Sequence, residues 1–104
     1  MAANDTAERW PALWTLFAGY FNEDFVDDYG TADGTLKGFA ELESREYVAS
    51  ARREAQALAA SGASEDELQA TVSRLGLCYA YWVDGWTCRG WLEHVADHLS
   101  SSAA

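Results

Sequence analysis

The chain predicts an all-α domain of four main helices joined by one or two short helical turns. Three observations carry that prediction. Trp10, Leu13, Trp14, Phe17 and Phe21 recur at helical spacing. Ser64-Glu65-Asp66-Glu67 opens a second apolar stripe with a capping box, and Gly76 closes it. The apolar run LCYAYWV (77–83) has no second strand to pair with, so it reads as a buried connection.

The first helix is expected over about Trp10 to Phe21, widened by Leu16 and Tyr20. Pro11 fits there because a missing N–H costs nothing in a first turn. Thr31–Thr35 reads as a turn punctuated by Gly30 and Gly34, and Leu36 with Phe39 as one short helical turn. A longer helix starts near Ser44 and buries Val48, Ala51, Ala55, Leu58 and Ala59, with Arg52, Arg53 and Glu54 facing water. Its many alanines permit close helix approach, and Ser61–Ser64 breaks it. The capping-box helix follows with Leu68, Val72 and Leu75. Asp84-Gly85 is a turn, and Thr87 caps a last helix over about Cys88–Leu99 that buries Trp91, Leu92, Val95 and Leu99. The expected core is Leu13, Trp14, Phe17, Phe21, Val48, Ala55, Leu58, Leu68, Val72, Leu75, Trp91, Leu92 and Val95.

At 104 residues the chain is one domain, 1–104, with a core over about 9–99 and frayed ends at 1–8 and 100–104. Hydrophobic residues make up 49%, with five Trp, five Tyr and four Phe, so disorder is excluded. Seventeen acids against seven bases leave a formal charge of −10. Nucleic acids and anionic membranes need Lys/Arg clusters, so neither is expected as a partner. The first residues lack the basic start and apolar run of a signal peptide, and the expected compartment is the cytoplasm. Cys78 and Cys88 are then reduced thiols, and their spacing matches neither a redox pair nor half a zinc ribbon.

The densest chemistry lies in LFAGYFNEDFVDDYG (16–30). Glu23, Asp24, Asp27 and Asp28 are interleaved with Phe21, Phe25 and Tyr29, and Asp33 follows before the next base, Lys37. Acids just beyond a helix C-terminus oppose its macrodipole by a few tenths of a kcal/mol or more. No register of the segment supplies oxygen ligands at positions 1, 3 and 5 of an EF-hand loop, which excludes that calcium site. His94 and His98 lie four apart on the last helix, but Val95 stands where a metalloprotease needs Glu. Neither cysteine has a base beside it in sequence. No cofactor, metal or catalytic residue is therefore assigned. Phe25, Tyr29, Tyr81, Trp82 and Trp86 fall off the helical stripes; those left exposed become candidate binding anchors.

Two segments together carry a family resemblance. The 16–30 stretch is similar to the signature of helical immunity proteins of contact-dependent growth inhibition systems: an L-F-G-x-Y-F run, then an acid, an aromatic and D-Y. The downstream half agrees through SEDEL, LG (75–76), Cys-Tyr, DG (84–85) and Thr-x-Arg-x-Trp-Leu at 87–92. Asn22-Glu23-Asp24-Phe25 departs from the more usual His-Gln-Asp-Trp, Ala80-Tyr81-Trp82 from an Asp/Pro-containing bend, and Gly90 from a Glu. The resemblance implies an all-helical, non-enzymatic protein that binds and neutralises a cognate toxin domain, commonly a nuclease. The expected binding surface is Glu23, Asp24, Phe25, Asp27, Asp28 and Tyr29, extended by Asp33, Asp84 and Trp86. The competing reading is a small acidic adaptor or regulatory subunit for a basic protein outside a toxin system. A metal-dependent enzyme using His94, His98 and the acids ranks last.

Overall fold

The computed structural model describes residues 5–103. The chain runs through α1 (Asp5–Arg9), α2 (Pro11–Trp14), a π-helical segment (Thr15–Tyr20), α3 (Phe25–Tyr29), α4 (Ala32–Leu42), α5 (Arg45–Ala59), α6 (Glu65–Arg74), a 3₁₀ turn (Tyr81–Asp84) and α7 (Cys88–Ala103). No strand occurs among the described residues, and 77–83 is a connection ending in that turn. The fold is all-α as predicted. Four main helices undercounts it, because α1, α3 and α4 are helices in their own right.

α5 and α7 make the most extensive helix pair, with α2 packed on α5 and α4 across α7. Between them lie Phe17, Phe21, Phe39 and Trp91, all fully buried. Phe21 meets Phe17 edge-on at 6.1 Å and Trp91 edge-on at 5.4 Å between ring centroids, the arrangement aromatic quadrupoles favour.

Every residue of the expected core is buried except Trp14, which is 39% exposed. The π-helical segment explains the error. Phe21 N–H donates to Leu16 C=O at 3.0 Å, five residues back, so the turn is wider than an α-helical one. The buried stripe becomes Ala12, Leu13, Leu16, Phe17 and Phe21, and Trp14 falls at its edge.

The expected turn at 31–35 is instead the start of α4. Thr31 caps it, its hydroxyl accepting from Gly34 N–H at 2.9 Å. Gly34 is therefore not punctuation, and with Gly38 it has a packing role. A Cβ on Gly34 would collide with the carbonyl oxygen of Tyr29, and one on Gly38 would lie 2.5 Å from the Tyr29 ring. This pair of glycines on one helix face makes the notch into which α3 docks.

Caps also account for the starts of α2, α5, α6 and α7. Ser64 and Glu67 form the predicted reciprocal box at 3.2 and 2.8 Å. Ser44 caps α5 through Tyr47 N–H, and Thr87 caps α7 through Gly90 N–H. Two further caps come from other helices. Glu54 does not face water: its carboxylate accepts from Ala12 N–H and Leu13 N–H, each at 3.0 Å, at the start of α2. Glu65 of α6 accepts from Cys88 N–H and Arg89 N–H at 2.8 and 3.0 Å, at the start of α7.

Gly76 ends α6 with φ +85°, as expected, and is also a contact. A Cβ there would meet Ala18 Cβ at 2.9 Å, so the α6 terminus touches the π-helical segment closely. Of the tails expected to fray, Asp5–Arg9 forms α1 and the stretch past Leu99 continues α7 to Ala103. Residues 1–4 and 104 of those tails lie outside the described residues.

Candidate partner-binding face

Asn22 closes the turn that follows the π-helical segment. Its amide donates to Gly19 C=O at 3.1 Å and its side-chain oxygen accepts from Asp24 N–H at 3.0 Å. Phe25 then turns inward to 8% exposure, packed against Phe21 at 5.4 Å and Tyr79 at 5.9 Å. It holds α3 from beneath. Tyr29 is half-buried, tilted over Tyr20 in the glycine notch.

With those two rings inward, Glu23, Asp24, Val26, Asp27 and Asp28 all face outward. Asp27 and Asp28 stand in the first turn of α3, where negative charge favours the macrodipole. Asp24 occupies the position before α3, yet its side chain accepts no capping hydrogen bond. Among the described residues no cation pairs with these four carboxylates. Their charge is left almost wholly to solvent.

Asp33 and the Asp84–Trp86 stretch come from two distant places in sequence and meet beside this segment. Asp33 Oδ1 lies 2.7 Å from His94 Nε2, bridging the start of α4 to α7. The His94 ring stacks on Trp86, with centroids 4.7 Å apart and planes 28° apart. Asp84 accepts a hydrogen bond from the Tyr79 hydroxyl. Together with Trp91 they line an open depression of about 420 Å³. Burial first, and then the bond to Asp84, push the Tyr79 phenol up to about 12, so it stays a donor at any physiological pH.

Tyr79 joins the two halves of the face. Its ring contacts Phe25 under the acidic segment and Trp91 at 4.8 Å under the depression, while its hydroxyl holds Asp84. Neighbouring Cys78 N–H donates to Phe21 C=O at 3.0 Å, locking the connection to the end of the π-helical segment. Sequence reading missed both Tyr79 and His94 as members of this face. Their places in it are set by Phe25 and Asp33, each far away in sequence, which no local spacing foretells.

The arrangement suits recognition rather than reaction. Cys88 is fully buried and its thiol is pushed up to about 11, chiefly by that burial, so it is a poor nucleophile. His94 is occupied by Asp33, and its ring lies 6.0 Å from that of His98. Among the described residues no three His, Cys, Asp or Glu side chains gather as metal ligands. No helix among them is long and apolar enough to cross a membrane.

Comparison with known proteins places this geometry in a family. No curated protein matches the chain. A chain in the crystal structure of the CdiA-CT/CdiI complex from Y. kristensenii 33638 is 30% identical and superposes with a TM-score of 0.82. The match covers 88% of this chain and 98% of that one. The family model of the CdiI immunity protein matches residues 9–99, which spans α2 to most of α7. The chain belongs to the CdiI immunity protein family.

Proposed function

We propose that this protein neutralises a cognate toxin domain, the counterpart of CdiA-CT, by seating its acidic face on a basic nuclease cleft in the cytoplasm. Family membership over residues 9–99 carries the reading that the protein binds a toxin and catalyses nothing itself. The geometry supports the choice of face. Glu23, Asp24, Asp27 and Asp28 have no ion-pair partner among the described residues, and they stand on a segment anchored by Phe25 and Tyr29. Asp33, Asp84 and Trp86 extend that surface.

A nuclease must attract phosphates, so its cleft carries Lys and Arg. Carboxylates placed over that cleft pair with those groups and exclude the substrate. The opposed fields also accelerate encounter, which matters where free toxin is lethal.

The test changes Asp24, Asp27 and Asp28 to Asn together, then measures association with the cognate CdiA-CT-type toxin domain. The variant should fold normally and associate ~10-fold or more slowly, with a flatter dependence on salt. Unchanged association would place the toxin on another face. No binding by the unaltered protein would return it to the acidic-adaptor reading.

A further inference from the structure

Trp82 and Val83 are the most conspicuous apolar residues that the fold itself leaves unused. They are 65% and 75% exposed, at the tip of the 3₁₀ turn between α6 and α7. A protein this acidic gains nothing in solubility from an indole on its surface, and a contiguous exposed apolar patch marks a contact site. The turn that presents them is rigid. Tyr81 beside them is buried, and Trp82 meets its ring edge-on at 5.1 Å. Three backbone bonds close the turn: Val83 N–H to Ala80 C=O, Gly85 N–H to Trp82 C=O and Trp86 N–H to Tyr81 C=O, each at 3.1 Å. Gly85, at φ +87°, then redirects the chain into α7.

Next to Trp82 the surface is hollow. A groove of about 370 Å³ runs between α6 and the connection, lined by Gln69, Val72, Leu77, Tyr79, Tyr81 and Trp82. It is the same Tyr79 that lines the depression holding Asp33, Asp84 and His94. The apolar tip thus adjoins the depression through Asp84, and Tyr79 borders both hollows.

We infer that Trp82 and Val83 form the apolar anchor of the toxin interface, inserting into an uncharged socket on the toxin that is ringed by Lys and Arg. The inference rests on the proposed toxin-binding function and adds where the tight part of the contact lies. Charge selects the occupant. Asp84 follows the anchor directly, Asp33 lines the same depression as Asp84, and the chain carries −10 overall. A second copy would bring the same negative field against itself, whereas a basic domain meets it with the opposite one. The division of labour follows from the physics. Carboxylates at the rim govern how fast the partners meet, and a desolvated Trp held on a stiff turn governs how slowly they part.

The experiment measures binding kinetics of Trp82→Ala, Val83→Ser and Leu42→Ala with the cognate toxin domain, at two salt concentrations. Leu42 is also exposed, at 69%, but at the opposite end of α4 from Asp33. Trp82→Ala should weaken affinity ~30-fold or more, almost entirely through faster dissociation, with its salt dependence unchanged. Val83→Ser should act in the same direction and Leu42→Ala should have no effect. Both anchor variants should melt with the unaltered protein, since the side chains face solvent; Val83→Ser still reports if Trp82→Ala does not fold. Wild-type dissociation in Trp82→Ala and Val83→Ser overturns the anchor while leaving the toxin-binding reading intact. Failure of the unaltered protein to bind removes the reading and the anchor together. Sedimentation showing a dimer that Trp82→Ala abolishes would assign the patch to self-contact and overturn the inference.

Discussion

Glu54→Ala should unfold this protein more easily than any other single change to a charged surface residue. The start of α2 has few ways to satisfy its backbone. Trp10 N–H donates to Thr6 C=O at 2.9 Å, Pro11 has no N–H, and Trp14 N–H reaches Trp10 C=O at 2.9 Å. Ala12 and Leu13 remain, and Glu54 Oε1 takes both at 3.0 Å. Trp10 offers no side-chain cap to replace it. Both donors belong to fully buried residues, so water reaches them poorly once the carboxylate is gone. Hydrogen bonds to a charged acceptor contribute about 1.5–3 kcal/mol each, and the higher helix propensity of Ala returns a few tenths. The net cost should be about 2–3 kcal/mol, or about 10–20 °C in melting temperature for a domain of this size. Glu54→Gln keeps an oxygen for both donors and should cost about 1 kcal/mol or less. Urea unfolding followed by tryptophan fluorescence measures all three proteins, with exposed Glu41→Ala as the neutral control. An Ala variant within 0.5 kcal/mol of the parent would refute the claim that Glu54 caps α2.

Gly34→Ala should destabilise, by about 1–2 kcal/mol in urea unfolding, although Ala favours a helix interior over Gly by about 1 kcal/mol. The added methyl meets the Tyr29 carbonyl, which is backbone and cannot swing aside; a stabilised variant would disprove the α3–α4 notch. Alkaline titration gives a second check. Tyr79 rises from 10.0 to about 12, and Tyr20 and Tyr81 are also raised, in each case first by burial. Cys88 rises from 9.0 to about 11 for the same leading reason. The fold favours the protonated forms, so their contribution is complete below pH 9 and is lost as pH climbs toward about 12. Melting temperature should hold up to pH 9 and fall steadily above it, whereas a flat profile to pH 12 would contradict the burial of these groups.

Local rules read well where the physics is local. The Ser64 box, the Gly76 stop, the Ser44 and Thr87 caps and the stripes of α5 and α7 all depend on residues within one turn of each other. They were legible for that reason. Failures cluster where a distant partner decides. Glu54 and Glu65 cap helices forty-odd and twenty-odd residues away, and nothing in their neighbourhoods says so. Gly34 looked like a turn residue because glycine usually is one; its purpose, shared with Gly38, appears only once Tyr29 is laid against α4. Trp14 was misplaced because the extra residue in the π-turn shifts the stripe after it. At the candidate face, sequence marked the acids and the off-stripe aromatics but could not sort them. Packing sends Phe25 inward and Trp82 outward. It also supplies Tyr79 and His94, which tie 22–33 to 79–86 into a single surface.

Amide hydrogen exchange on the complex with the toxin domain tests that surface most directly. α3 is a five-residue helix and the 3₁₀ turn spans four residues, so both should exchange faster than the long helices α5 and α7 and report any cover placed over them. Toxin binding should slow exchange ~10-fold or more across 23–33 and 81–86, and leave the exposed side of α5 unchanged. Protection confined to α5 and α6, with both of those segments exchanging as in the free protein, would contradict the account.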